Sequence, residues 1–499
     1  MTLTGYSYLV DALKLNVLPL ARPAFANSSV NRRVDSDTRI LFPTGVALEN
    51  TLVGHLEFAL RHEGVNLEVI DAVFEHLPPD ALISRLRETP TGEHIRRACF
   101  LWEWLTGNEL NTGVVVKGGY VDLFPEDIYC TAAQPTRAPN FRVRNNALGT
   151  PDFCPIVRRA SIPRDPPLPE LMRLAQSTLD AVDDPELCSR ALAYLYLSET
   201  RGSYAIESET PSSNKQERFV QLLKNAGEPV KVAEEWLVQL QNVIVRDVYS
   251  QEASYRTKQN WLEDSAGRLS FIPTPIGDLS RVMKGWERFV NDEKRCTDIL
   301  VKAACAAFGF VYLHPFMDGN GRLHRFLIQH VLARSELMGP ATVIPVSTVI
   351  EQNIPSYLAV LTGFSRPVTA LWDYRRGDPE PVFLSEPGSR AYRFFEADRE
   401  VAFLYDMIKQ AVQEEIPREL AWLQGYDIAL SALNTEMDVP QKDLSALIRM
   451  IQSNKGTLSE KRRKQYVHLP EPVLNRIEEV VQQAFETRKA EEGPLSRRQ

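Results

Sequence analysis

HPFMDGNGRLHR, His314 to Arg325, separates two apolar runs with two glycines, an acid, an asparagine, two histidines and two arginines. The run before it, CTDILVKAACAAFGFVYL, and the run it opens, GRLHRFLIQHVLARSEL, carry apolar residues at helical spacing. A helix-to-helix turn needs only one or two special residues, so this density of polar groups calls for a chemical reason. Gly319-Asn320-Gly321 falls where the second helix starts. Unpaired backbone N–H groups and the positive end of a helix dipole converge at such a point, which favours an anion. Glycines let backbone approach closely and form an anion nest, while Asn320 can cap the helix or offer its amide to the anion. Arg322 and Arg325 lie three apart on one helix face, and both can fork onto phosphate oxygens. A nest and two guanidiniums supply more donors than one carboxylate can use, so the expected ligand is a polyphosphate, in the first instance a nucleotide.

Asp318 lies beside the nest, where phosphate would repel it unless a divalent cation bridged the two; Mg²⁺ with retained waters is the hard ion that fits. The imidazole of His314 titrates near neutral and suits proton abstraction from an attacking hydroxyl. Phe316 is expected to be a buried anchor. The stretch therefore points to phosphoryl or nucleotidyl transfer. A metal site built from His314, Asp318 and His324 would explain neither the arginines nor the glycines, and His324 is expected to pack or face solvent.

At 499 residues the chain is long enough for about three domains. The net charge of -8 and pI near 5.7 argue against a surface that coats nucleic acid or an anionic membrane. Six scattered cysteines show no zinc-ligand spacing and read as free thiols of a reducing, cytoplasmic compartment. The N-terminal stretch, broken by Asp11 and Lys14, does not read as a secretory signal. The longest apolar run, Ala303 to Leu313, is far short of the ~20 residues that span a bilayer.

SIPRDPPLPE, Ser161 to Glu170, holds four prolines and reads as an extended connector. Residues 1–160 upstream read as a mixed, mainly helical domain of unassigned role, with a β-hairpin expected at Thr112 to Phe124 around Lys117-Gly118-Gly119. From 170 to 375 the pattern is all-helical, save for a hairpin between Tyr255 and Pro275 around Asp264-Ser265-Ala266-Gly267. Residues 395–490 read as a small helical module, by spacing alone a helix-turn-helix or winged helix. Gln441 to Gln499 holds twelve Lys/Arg against eight Asp/Glu; Lys461-Arg462-Arg463-Lys464 reads as a solvated face first and a nucleic-acid patch second.

HPFMDGNGRLHR matches every fixed position of HPFx[DE]GNGRxxR, and residues 170–375 thereby resemble a Fic domain. The resemblance implies an all-helical Fic core that transfers AMP from ATP to a Ser, Thr or Tyr hydroxyl of a target protein, and homodimers are common in the family. On the matching positions, His314 would be the general base, Asp318 the Mg²⁺ ligand and Phe316 an anchor. Gly319, Asn320 and Gly321 would form the anion hole, and Arg322 and Arg325 would hold phosphates. Gly321 favours nucleotidyl transfer, since a related branch with lysine there acts as a kinase. The hairpin at 255–275 resembles the family's flap, which takes the target segment as an added strand. TRGSYAIESE resembles the inhibitory pattern [ST]xxxE[GN] at Ser203 and Glu207, with Ser208 in place of the usual Gly or Asn. That implies an N-terminal inhibitory helix near 198–208, whose Glu207 pairs with Arg325. Removal of AMP from a modified protein, or a bifunctional enzyme, is the enzymatic alternative; a DNA- or partner-binding regulator working through the C-terminal module is the alternative of another class.

Overall fold

Helical spacing between 168 and 333 yields the expected helices in the computed structural model, which describes residues 1–491 except 47–48, 183, 246–249, 340–341, 376 and 378–379. Leu168–Asp180 is followed by α1 (Pro185–Ala205), by Ser213–Lys224, and by α2 (Glu234–Ile244), α3 (Ile276–Asn291), α4 (Ile299–Leu313) and α5 (Asn320–Ala333). Their starts carry ordinary caps. Asp184 accepts from the Glu186 N–H at 2.9 Å ahead of Pro185, and Asp298 accepts from the Val301 N–H at 3.2 Å. Both side chains satisfy donors that a helix start leaves unpaired.

α4 is buried on every side, from Leu300 to Leu313, as a helix apolar all round must be. Its small residues let neighbours come close: a Cβ on Gly309 would lie 2.6 Å from the Phe153 ring, and the Trp286 indole of α3 donates to the Ala306 carbonyl at 2.9 Å. α5 packs against it. The main apolar cluster runs from Leu148 to Leu423 and includes Ile162 and Leu168, so the proline-rich segment lies along this core. Asp398–Gln410 packs into the same cluster through Val401, Leu404 and Ile408.

The hairpin at 255–275 forms. β1 (Leu262–Glu263) pairs antiparallel with β2 (Leu269–Phe271). Asp264 Oδ1 accepts from Ala266 and Arg268 N–H, and Gly267 takes φ +67, the turn chemistry that Asp and Gly favour. The hairpin expected at Thr112–Phe124 does not form. Val121–Asp122 pairs in parallel with Val143–Asn145 instead, and carbonyls at and beside the expected turn go to guanidiniums. Arg142 takes Val116 and Gly118, and Arg96 takes Gly119. Two arginines distant in sequence outcompete the local turn.

Upstream, Leu52–His62, Leu67–Phe74, Pro79–Glu88 and Glu93–Thr106 surround a second apolar cluster with small sheets at its edge. Downstream, a third cluster from Ala429 to Ala484 joins Ile416–Glu436, Gln441–Ser453 and Glu471–Glu491. No strand follows Ser385 among the described residues, so the winged variant has no counterpart there. Arg463 of the basic run turns onto Glu471 and Glu478 at 2.6 and 2.5 Å. Of the residues counted in the basic excess, Glu492, Arg497 and Arg498 lie outside the described residues. No described helix is long and apolar enough to cross a membrane.

Candidate functional site

α4 ends where His314 adopts a left-handed conformation, φ 52 and ψ 61, which breaks the helix and turns the chain into the loop. Phe316 is fully buried beside the rings of Phe310 and Tyr255, with centroids at 6.4 and 5.6 Å. The Phe316 backbone needs partners in that setting, and Asn320 provides both. Its Oδ1 accepts from the Phe316 N–H at 3.1 Å and its Nδ2 donates to the Phe316 carbonyl at 2.8 Å. The Asn320 side chain thus closes the loop on its own start and neither caps α5 nor faces the nest; its main chain is what remains at the helix N-terminus. Gly319 stands at the cap position with φ +85, where a side chain would be strained.

His314 is buried, and its Nδ1 lies 3.3 Å from the Val311 carbonyl. That contact assigns the proton to Nδ1 and leaves the Nε2 lone pair free to accept. Burial pushes the imidazole down to about 4; the Val311 hydrogen bond offsets part of this and the nearby Arg256 charge adds to it. The ring is therefore neutral at pH 7.

Arg322 and Arg325 point into the core from the first two turns of α5, nearly without exposure. Arg325 is fixed by α1: its Nε donates to Ser203 Oγ at 2.9 Å and its Nη2 to the Ser203 carbonyl at 2.6 Å. Glu207, two residues past the end of α1, bridges both guanidiniums. One oxygen lies 2.7 Å from Arg325 Nη2 and the other 2.7 Å from Arg322 Nε, the latter an ion pair without hydrogen-bond alignment. The sequence reading paired Glu207 with Arg325 alone. Burial is the largest influence on Arg325 and opposes its charge, yet the charges and hydrogen bonds of Glu207 and Tyr357 together outweigh it and the group sits above its ordinary range. Gly321 is shaped to this arrangement, since a Cβ there would meet Glu207 Oε1 at 2.5 Å.

Glu209 is a residue that sequence reasoning missed. It pairs with Arg322 Nη1 at 3.0 Å, and the Tyr204 ring lies 5.3 Å from the same guanidinium. Glu207 and Glu209 face one target because Ser208 takes a left-handed φ of 57. That backbone explains why Gly or Asn is usual at this position. A carboxylate two residues beyond Glu207 was a visible signal, but only the turn makes it meaningful.

Asp318 lies at the mouth, its side chain 44% exposed. Its Oδ1 accepts from the Gly319 N–H at 2.6 Å and lies 3.3 Å from Arg322 Nη2. Among the described residues Oδ2 has no partner, which leaves one carboxylate oxygen for a hydrated Mg²⁺ that would take its other ligands from phosphate and water. The donor set fits that ion. No cluster of three or more His, Cys, Asp or Glu shaped to hold a metal occurs among the described residues. The rival grouping with His324 is not assembled: that ring is fully buried against Phe308 and Tyr357, and burial pushes it down to about 3.

Residues 231–332 match the profile of the Fic/DOC family. The chain carries a Fic/DOC domain. Proteins named protein adenylyltransferase Fic from Drosophila sechellia and Drosophila melanogaster are each 41% identical to it over 75 residues, 15% of this chain and 15% of theirs. That of Drosophila ananassae is 39% identical over 75 residues. The match thus spans about 15% of the length of these curated relatives. A Fic domain containing signaling protein from Bacteroides thetaiotaomicron superposes with a TM-score of 0.36 and 18% identity, over 51% of this chain and 95% of that one. A Fic family protein from Desulfovibrio desulfuricans gives 0.36 and 16%, over 62% and 86%.

Proposed function

We propose that the Fic domain is a protein adenylyltransferase that moves AMP from ATP to a Ser, Thr or Tyr hydroxyl of a target protein, and that Glu207 holds it inactive. The observation that carries this reading is the placement of the Glu207 carboxylate. It lies on both motif guanidiniums at 2.7 Å, so the chain's own anion stands where phosphate oxygens would bind.

On this reading Arg322, Arg325 and the backbone N–H groups of Asn320 and Gly321 grip the triphosphate, the Gly319 N–H being taken by Asp318. The target hydroxyl is presented from the flap, its proton passes to Nε2 of His314, and its oxygen forms a bond to the α-phosphorus. The bond from that phosphorus to the bridging oxygen breaks, and pyrophosphate leaves with the electron pair. Asp318 would hold Mg²⁺, which when bound offsets the charge of the phosphates. Neutral His314 supports the base role, and a buried loop locked by Asn320 supports the preorganisation that transfer requires.

The test uses ATP labelled at the α or the γ phosphorus with Glu207→Gly protein. Label from the α position and none from the γ position is expected in protein. The reverse pattern means a kinase, and release of AMP from a pre-adenylylated target without incorporation means the opposite reaction.

A further inference from the structure

Arg256 is a buried cation with no acidic partner in the ion pairs of the described residues, and its three side-chain contacts are all backbone carbonyls. Its exposure is 4%. Nε donates to the His314 carbonyl at 3.0 Å, Nη1 to the Lys258 carbonyl at 3.0 Å, and Nη2 to the Thr274 carbonyl. Its own backbone N–H donates to the Pro315 carbonyl at 2.7 Å. Lys258 precedes β1 and Thr274 follows β2, so one guanidinium ties both legs of the flap to the backbone of His314.

Burying such a charge costs free energy that carbonyl dipoles only partly return, and burial draws its proton affinity down to about 10 although the Tyr392 phenol pulls the other way. A plain hairpin needs no such group. The adjoining residues repeat the pattern. Asn260 Nδ2 donates to the Phe316 carbonyl at 3.2 Å. Gln259 donates to the Pro273 carbonyl at 3.1 Å and accepts from the Ile276 N–H at 3.0 Å, which zips one leg to the other. From one flap leg, Arg256 and Asn260 thus engage three successive carbonyls of the loop, at His314, Pro315 and Phe316.

We infer that Arg256 is a positioning residue that fixes the flap relative to His314, so that a target strand laid on the flap brings its hydroxyl within reach of the imidazole. The inference rests on the transfer reaction proposed above. The planar fork of arginine is what permits it, because three carbonyls from three segments are reached from one rigid group. Arg256 touches neither ATP nor the reacting atoms; the phosphate grip lies at the other end of the loop, on Gly319 to Arg325.

Arg256→Lys in the Glu207→Gly full-length chain tests this, since lysine keeps the charge and loses the fork. Hydrogen exchange over residues 258–275 reads flap order without turnover. Self-labelling from α-labelled ATP gives the rate at saturation and the half-saturating ATP concentration. Flap exchange faster by about tenfold, a saturating rate lower by about tenfold or more, and half-saturation changed by less than about twofold are expected for misplacement on the order of 1 Å. Gln259→Leu, which leaves the buried cation in place, should move the same quantities in the same direction by less, and decides the matter should the lysine variant not fold. Unchanged flap exchange, faster exchange with an unchanged saturating rate, or half-saturation rising in step with the rate loss would overturn the inference. A Glu207→Gly parent that folds and does not label would count against the transfer reaction itself, and flap exchange would then decide the staple on its own.

Discussion

Replacing Glu207 by glycine should do two opposite things at once, and their combination is diagnostic. The carboxylate makes one aligned contact to Arg325 and one poorly aligned ion pair to Arg322. A hydrogen bond to a charged group contributes about 1.5–3 kcal/mol, so the pair together favours the closed arrangement by about 3 kcal/mol. At 1.36 kcal/mol per factor of ten, releasing it should raise AMP incorporation at subsaturating ATP by about a hundredfold. The same change takes from Arg325 its one carboxylate partner and leaves it the neutral hydroxyl and carbonyl of Ser203 and the Tyr357 phenol. Breaking a buried pair by removing one partner is strongly destabilising, so the variant should melt at a lower temperature than the parent without nucleotide, and ATP with Mg²⁺ should return more of that loss to the variant than to the parent. Initial rates with α-labelled ATP and melting curves with and without nucleotide measure both. A variant that labels no faster and melts unchanged would refute the reasoning, because the 2.7 Å contacts would then have no energetic consequence.

Glu209→Gln should add several-fold to labelling in the Glu207→Gly background by freeing Arg322, measured by the same rate assay. Ser208→Gly should stabilise the unliganded protein by up to about 1 kcal/mol, because glycine carries no penalty at positive φ; denaturant melts read the change. His314 should keep a neutral imidazole in NMR titrations down to about pH 4. The unfolded imidazole takes its proton near 6.5, so its contribution to stability is present above that pH and is lost as pH falls from about 6.5 to about 4. Asp318→Ala should cut labelling by at least about tenfold, with part of the rate regained at high Mg²⁺ or with Mn²⁺, read as rate against ion concentration.

Much of the core was legible because its signals are local. α4 and α5 follow from unbroken helical spacing, and the flap turn from an aspartate and a glycine placed where a tight turn needs them. The site was legible because twelve consecutive residues hold most of its groups. What escaped depends on contacts between distant segments. Arg142 and Arg96 hold the carbonyls at and beside the turn expected in Thr112–Phe124, and Val121–Asp122 pairs with Val143–Asn145. Asn320 turned inward because the buried Phe316 backbone had to be satisfied. Glu209 reaches Arg322 only through the left-handed turn at Ser208, and Arg256 reaches His314 across 58 positions of sequence. None of these has a period or a motif to announce it.

A crystal structure of the Glu207→Gly chain with a non-hydrolysable ATP analogue and Mg²⁺ bears most directly on the central claim. The account predicts phosphate oxygens against both guanidiniums and the backbone amides of Asn320 and Gly321, with the α-phosphorus facing Nε2 of His314. Nucleotide bound elsewhere, or a pocket between Arg322 and Arg325 refilled by Glu209 or other side chains with no phosphate in it, would contradict it.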